Sequence, residues 1–175
     1  MEKAGVKFDK GLSVSEIKEI EAKYEFIFPP DLKEFLQFSL PIGKSWVDWR
    51  NGKEEEIKSR LDWGYEGICF DIEHSKFWLE NWGEKPTNLE DAFQIAKTEI
   101  AKAPKLIPIF SHRFIPDRPN VSGNPIFSVY QTDIIIYGVN LPIYLQNEFS
   151  SYFEEKKNLQ NIGKREIEFW SELAG

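Results

Sequence analysis

The sequence predicts an α+β fold, and the order of its apolar patterns is what predicts it. Apolar residues recur at helical spacing over 14–36, cluster or alternate as in strands over 106–137, and return to helical spacing from 141 onward. Helices first, then strands, then helices again are typical of the separate layers of an α+β domain. A chain of 175 residues suits one domain, which we expect to cover 1–175 with 1–10 as a loose N-terminal segment.

Two short helices are predicted before residue 40. Ser13 and Glu16 have the spacing of a capping box, and apolar residues then repeat at helical spacing. Pro29-Pro30 ends this segment and begins the next, because proline in the first helical turn loses no hydrogen bond. The residues expected on the two buried stripes are Val14, Ile17, Ile20 and Tyr24, then Leu32, Phe35, Leu36 and Phe38.

The middle of the chain predicts a polar helix, a strand and a further helix. Residues 51–63 carry few apolar anchors, which is typical of a helix on the surface. Alternating apolar residues predict a strand over Gly67–Ile72. Asn88 is the predicted N-cap of a helix that runs toward Pro104.

Strands dominate the pattern after residue 105. Leu106–Phe110 is apolar, but Pro108 cannot donate a hydrogen bond to a neighbouring strand, so we expect it at an edge or a bulge. The other predicted segments are a loop at 111–123, a hairpin of strands at 126–131 and 133–137, and helices at 141–149 and 165–173.

The acidic charge of the chain limits the partners that it is expected to bind. Lys and Arg number 22 and Asp and Glu number 29, so the formal net charge is −7. We therefore expect a basic protein partner rather than direct contact with nucleic acid. No apolar run approaches the ~20 residues of a membrane span. No targeting segment is evident either, so we expect a cytoplasmic protein without a membrane contact.

Residue types that support catalysis are present without a motif that combines them. Asp71 and Glu73 share one face of the predicted strand and His74 follows, which leaves a small hydrolase as the less favoured alternative to a solvated strand face. The second histidine, His112, is distant in sequence from these three residues. Cys69 is the single cysteine, which excludes an internal disulfide, and is interpreted as a buried structural thiol. We expect no catalytic residues, no metal site and no cofactor, because no HExxH, GxSxG, GxGxxG or Walker pattern occurs.

A concentration of tryptophan predicts a contact surface, because five of the six lie between residues 46 and 82. Trp46 and Trp49 have polar neighbours such as Asp48, so they are the best candidates for exposed side chains at a protein interface. Carbohydrate stacking on them is an alternative. The acidic run Glu54–Glu56 is either a solvated helix start or a patch for a basic partner. The predicted partner-binding residues are Trp46, Asp48, Trp49, Glu54, Glu55 and Glu56.

A capped helix at 11–22 is followed by an apolar link and a second helix that begins Pro-Pro-Asp-Leu, at 26–36. This combination is the strongest of several segments that together resemble the SUKH superfamily, which includes fungal cell-wall glucan-synthesis regulators and many bacterial immunity proteins. The chain departs from the family where 38–43 replaces the usual Asn-Gly or Asp-Gly. Further matching segments are 63–73, Phe77-Trp78, 82–86, 106–110, 124–133 and Tyr137-Gly138.

The resemblance implies a mainly antiparallel central sheet flanked by helices, and it carries no catalytic residue over to this chain. It also implies that the chain binds another protein. The leading hypothesis is an immunity-type antitoxin that occludes a cognate basic toxin such as a nuclease. The alternative is an intracellular regulatory or scaffold module that binds an endogenous partner.

Overall fold

The predicted order of helices and strands agrees with the structure in its main lines. The computed structural model describes residues 1–149 and 163–174. The described residues form one α+β domain with six α-helices, a two-stranded sheet and a four-stranded antiparallel sheet. The helices are α1 (Val14–Tyr24), α2 (Pro30–Phe38), α3 (Glu54–His74), α4 (Leu89–Ile100), α5 (Leu141–Glu148) and α6 (Trp170–Leu173). The strands are β1 (Lys7–Lys10), β2 (Ser39–Ile42), β3 (Leu106–Phe110), β4 (Arg113–Pro116), β5 (Ile126–Tyr130) and β6 (Asp133–Gly138).

Two hydrogen bonds start α1 as the sequence predicts. The Ser13 hydroxyl accepts from the Glu16 N–H at 3.2 Å, and the Glu16 carboxylate accepts from the Ser13 N–H at 2.7 Å. Val14 and Phe38 were expected to be buried, but they are 61% and 86% exposed because they lie at helix ends, beyond the core. The buried residues of α1 and α2 are Ile17, Ile20, Tyr24, Leu32 and Leu36.

The pairing of β1 with β2 was not predicted from the sequence. The two strands run antiparallel, from Lys7 opposite Ile42 to Lys10 opposite Ser39. The expectation of a loose segment at 1–10 is therefore wrong for the residues of β1. Each strand has four residues and little apolar alternation, so neither produces a strand pattern in the sequence.

The strand predicted at Gly67–Ile72 is wrong, because these residues belong to α3. The helix begins at Glu54 and continues for 21 residues. Ile68 and Ile72 are four residues apart, so they share a helical face and both are buried, while Phe70 is 45% exposed. A window of six residues fits the helical and the strand period alike, so the pattern alone does not distinguish them.

The four-stranded sheet has the order β3-β4-β5-β6. Pro108 lies in edge strand β3 beside a register shift, which confirms the predicted edge or bulge. The hairpin of β5 and β6 is also confirmed, with Gln131 and Thr132 between its paired ends. The loop predicted at 111–123 is wrong for the residues of β4, whose short length hid the strand pattern.

Helices cover both faces of this sheet, as the resemblance implied. Side chains alternate along the strands, so that Ile107 and Ile115 face one hydrophobic cluster while Leu106 and Phe114 face the other. The first cluster contains the buried residues of α1 and α2. The second contains Ile68 of α3 together with the buried alanines of α4. The sheet is therefore the central layer of the domain.

The helices α4 and α5 are confirmed, whereas the last helix is shorter than predicted. The Asn88 side chain accepts from the Glu90 N–H at 2.9 Å, and Asn140 accepts from the Ile143 N–H at the same distance, so each caps its helix. The helix expected over 165–173 is limited to α6. Within the described ranges, no helix combines the length and the apolar character needed to cross a bilayer.

Candidate protein-binding surface

Trp46 and Trp49 are buried, so the expectation that their side chains are exposed is wrong. Trp46 is 7% exposed and its ring centroid lies 4.8 Å from that of Phe110. Trp49 is 6% exposed and lies 5.8 and 5.3 Å from the ring centroids of Phe26 and Phe28. Aromatic pairs at these separations are typical of a packed core. Polar neighbours in the sequence therefore do not indicate exposure for these two residues, which belong to the core.

Asp48 and Arg50 stabilise the turn that directs Trp49 inward. The Asp48 carboxylate accepts from the N–H groups of Arg50 and Asn51 at 3.2 and 2.8 Å. The Arg50 guanidinium donates to the Glu16 carboxylate at 2.6 Å, which connects this turn to the start of α1. Asp48 is exposed, and its predicted contact with a partner stays a prediction.

The contact between Arg50 and Glu16 predicts an acid-sensitive contribution to stability. Hydrogen bonds from Arg50 and Ser13 lower the pKa of Glu16 from 4.5 to about 2. Because the pKa is lower in the folded state, the contribution of the Glu16 carboxylate to the free energy of unfolding is present above pH 4.5 and is lost as the pH falls toward 2. Glu16→Gln is therefore expected to be less stable than wild type at pH 7, with the difference shrinking on acidification.

Urea unfolding at several pH values measures this difference. The control is Glu19→Gln, which changes an exposed carboxylate on the same helix and is expected to follow wild type at every pH. A difference in the free energy of unfolding between wild type and Glu16→Gln that stays constant between pH 7 and pH 2 would contradict the role assigned to Glu16.

The acidic run at the start of α3 is only partly engaged in ion pairs. Glu54 contacts Lys58 at 2.6 Å and Lys23 at 2.9 Å, and the hydrogen bonds from these two ammonium groups lower its pKa to about 2. Glu55 and Glu56 are exposed. Glu54 is thus shared between two lysines and Glu56 lies 3.8 Å from the Lys53 ammonium, whereas Glu55 forms no salt bridge with the residues that the structure describes.

An exposed face of α3 combines aromatic and acidic side chains. Trp63 and Phe70 are seven residues apart, so they lie on the same side of the helix, and they are 39% and 45% exposed. Glu66 lies between them, and the His74 ring stacks on Phe70 with centroids 4.2 Å apart. No lysine or arginine occurs in 61–75. The residues that we call the α3 face are Glu55, Glu56, Trp63, Glu66, Phe70 and Glu73.

Three contacts at four-residue spacing hold α3 against the end of β5 and the turn that follows it. The Trp63 indole N–H donates to the Val129 carbonyl at 3.0 Å. The Asp71 carboxylate accepts from the N–H and the hydroxyl of Thr132 at 2.9 and 2.6 Å. Between them, a Cβ at Gly67 would lie 2.8 Å from a backbone atom of the turn, so only glycine permits this approach. The α3 face is therefore attached rigidly to the sheet.

Asp71 and Glu73 do not converge, because the helix directs them to different sides. Asp71 is 5% exposed and accepts hydrogen bonds from Thr132 and from the Ser75 hydroxyl, whereas Glu73 is exposed. Burial alone raises the pKa of Asp71, but the hydrogen bonds from Thr132 and Ser75 outweigh burial and lower it. The shared face on which the hydrolase alternative depended is therefore absent, and Asp71 stabilises the fold.

The remaining candidates for chemistry are dispersed. The His74 Nδ1 lies 2.9 Å from the Phe70 carbonyl oxygen, and the His112 Nδ1 lies 3.1 Å from the Ser111 hydroxyl. Cys69 is half-buried, and burial raises the pKa of its thiol. In the part of the chain that the structure describes, no three His, Cys, Asp or Glu side chains are grouped closely enough to hold a metal ion.

The sequence carries a signal for the α3 face that the strand interpretation concealed. Residues 61–75 contain four acidic residues and no lysine or arginine, and Trp63 and Phe70 among them are separated by two helical turns. Extending the helical period of 51–63 through this stretch places Trp63, Glu66 and Phe70 on one face. The helical period of this face is therefore visible only in a longer stretch of sequence than the six residues that predict a strand.

Comparison of the chain with family models, curated proteins and solved structures finds no match. The similarity to the SUKH superfamily therefore stays a prediction from the quoted sequence segments.

Proposed function

We propose that this protein is a non-enzymatic binding module of the immunity type, which binds a basic toxin through the α3 face and occludes it. The observation that supports this proposal is the composition of that face from Trp63 to Glu73, where exposed aromatic side chains alternate with carboxylates and no lysine or arginine intervenes. Contiguous exposed apolar patches that are rimmed by polar residues mark interaction sites. Trp63 belongs to the residue type that most often dominates binding energy at interfaces.

Electrostatic complementarity favours a basic partner. The α3 face presents four exposed carboxylates, and Glu56 and Glu73 are separated by about 25 Å at 1.5 Å per residue. A nuclease contacts phosphates through lysine and arginine, so a row of carboxylates matches the same surface. Such matching accelerates association and is weakened by salt. Occupation of the basic surface by α3 would exclude the nucleic acid substrate.

The contacts between α3 and the sheet reduce the cost of binding. The indole N–H of Trp63 is already bonded to the Val129 carbonyl, so its ring does not have to be ordered when a partner docks. Tyr130 follows Val129 and is 61% exposed, which adds a third aromatic side chain beside this contact. A surface organised before binding keeps more of its contact energy as affinity.

Charge reversal on the α3 face is expected to abolish protection from the toxin. The wild-type chain, co-expressed with the toxin encoded beside its gene, is expected to restore growth. The double variant Glu66→Lys with Glu73→Lys is expected not to restore growth, and to bind the purified toxin at least about tenfold more weakly, because like charges then face each other. Growth assays and calorimetric titration measure the two effects.

The matched control is Glu2→Lys with Glu19→Lys, which makes the same change in net charge at exposed residues outside the α3 face. This control is expected to protect as well as wild type. Equal loss of affinity in both double variants would contradict the assignment of the α3 face. The absence of a toxin gene in the neighbourhood, with capture of an endogenous partner instead, would overturn the immunity role and favour the regulatory alternative.

A further inference from the structure

A concave feature lies on the side of α3 opposite the α3 face. A cavity of about 530 Å³ opens between the ends of α1 and α4, the middle of α3 and the start of β3. The helix α3 contributes Leu61 and Tyr65, which helical spacing rotates away from Trp63. Small-molecule pockets have volumes of roughly 300–1,000 Å³. The cavity therefore has the size of a site for a small ligand.

Part of the cavity lining is formed by apolar and aromatic side chains, which suits an aromatic ring system. Leu61, Tyr65 and Ile100 are half-buried and line its walls. Leu106 and Trp170 lie deeper and are 4% and 2% exposed. Covering the half-buried Leu61, Tyr65 and Ile100 with an apolar ligand removes further hydrocarbon surface from water, which favours binding. The body of the ligand is thus expected to be apolar.

The charged residues of the cavity are mostly basic, in contrast to the rest of the chain. Four lysines and two acidic residues line it, which is an excess of two positive charges in a protein of net charge −7. A local excess of one sign focuses the electrostatic field in a cleft and attracts the opposite charge. The charged lining residues are Lys23, Lys58, Lys97, Lys105, Glu25 and Asp62.

Two of the four ammonium groups are available to a ligand. Lys23 and Lys58 share the Glu54 carboxylate at 2.9 and 2.6 Å. Lys105 donates to two carbonyl oxygens at the end of α1 at 3.2 and 2.8 Å, which leaves one of its three N–H groups. The Lys97 ammonium forms no ion pair or hydrogen bond with the residues that the structure describes, and Lys97 lines the cavity. An anion placed near Lys97 therefore displaces no internal carboxylate, and at Lys105 it competes with the largely exposed Glu25 carboxylate, which lies 4.0 Å from the ammonium.

We infer that this cavity binds a small aromatic organic anion, with its ring system against Leu61 and Tyr65 and its anionic group near Lys97 and Lys105. This inference does not depend on the proposed protein partner, because the cavity and the α3 face lie on different sides of α3. The cavity is also too small to receive a folded surface, so its occupant is a molecule of low mass.

Two probes with the same ring system test the inference. 8-Anilinonaphthalene-1-sulfonate carries an anion, whereas N-phenyl-1-naphthylamine is its uncharged analogue. Fluorescence titration of the full chain is expected to give saturable binding of the sulfonate, at least tenfold tighter than that of the neutral amine. Lys97→Glu is expected to weaken the sulfonate at least tenfold and to leave the amine unchanged, while Lys97→Arg retains the preference.

Control variants separate the cavity from other sites. Lys18→Glu makes the same change of charge at an exposed residue outside the cavity and is expected to bind as wild type. Phe38→Ser alters a separate apolar groove between α2 and α5 and is also expected to retain binding. The melting temperature of each variant excludes unfolding as a cause. Absence of saturable binding, or loss with Phe38→Ser but not with Lys97→Glu, would overturn the inference.

Discussion

Replacing Trp49 with alanine is expected to lower the free energy of unfolding by about 3–5 kcal/mol. The indole lies at the centre of an aromatic cluster, with Tyr24, Phe26 and Phe28 at ring-centroid distances of 6.2, 5.8 and 5.3 Å. Removal leaves a cavity, because the neighbouring rings belong to a close-packed core and collapse only partly into the space. Urea unfolding followed by far-UV circular dichroism measures the loss.

The matched control for Trp49 is Phe38→Ala, which also removes an aromatic ring but from a side chain that is 86% exposed. This control is expected to change stability by no more than about 0.5 kcal/mol. A Trp49→Ala protein with native stability and weakened partner binding would contradict the structural role. Such a result would favour the contact role that the sequence predicts for this residue.

Replacing Asp71 with alanine is expected to destabilise the protein by about 2–3 kcal/mol at pH 7. The carboxylate is buried and accepts from the N–H and the hydroxyl of Thr132 and from the Ser75 hydroxyl. Alanine leaves these donors without an acceptor and releases the β5–β6 turn from α3. The Thr132 amide proton is expected to exchange faster with solvent, because the β5–β6 turn opens more often, and hydrogen exchange measures this local opening.

The effect of Asp71→Ala is expected to depend on pH in a defined direction. The pKa of Asp71 in the folded state is below its ordinary value of 3.8, so its contribution is present above pH 3.8 and is lost as the pH falls through the folded value. The difference between wild type and variant therefore shrinks on acidification. Glu73→Ala, on the exposed side of the same helix, is the control and is expected to stay within about 0.5 kcal/mol of wild type. A pH-independent difference for Asp71→Ala would contradict the assigned ionised state.

Local sequence signals predicted the elements that begin at a strong cap or contain a long periodic stretch. Ser13 and Asn88 cap α1 and α4 with their side chains, as expected from the sequence, and the β5–β6 hairpin follows from two strands and a short link. The segment Gly67–Ile72 was misassigned because Ile68 and Ile72 satisfy both periods, and the packing that decides between them is contributed by distant strands.

The candidate surface was predicted less well than the fold, for a physical reason. Exposure depends on which side chains meet across the chain, and Phe26 and Phe28 cover Trp49 from a distant part of the sequence. Glu55 and Glu56 were placed on the surface because charge in the first turn of a helix is nearly always solvated. The alternating pattern places Phe70 on the buried face of a strand. Its exposure follows from the continuation of α3 through His74, because the helix directs Phe70 away from the buried Ile68 and Ile72.

The edge strand β3 has a consequence for the behaviour of the protein at high concentration. Pro108 removes one backbone N–H from this strand, and the register shift beside it interrupts the regular spacing of the others. Near the end of β3, the Ser45 carbonyl already accepts from the Ser111 N–H at 2.7 Å. A second molecule therefore finds no continuous row of donors and acceptors along this margin, and fibril growth by strand addition at β3 is disfavoured.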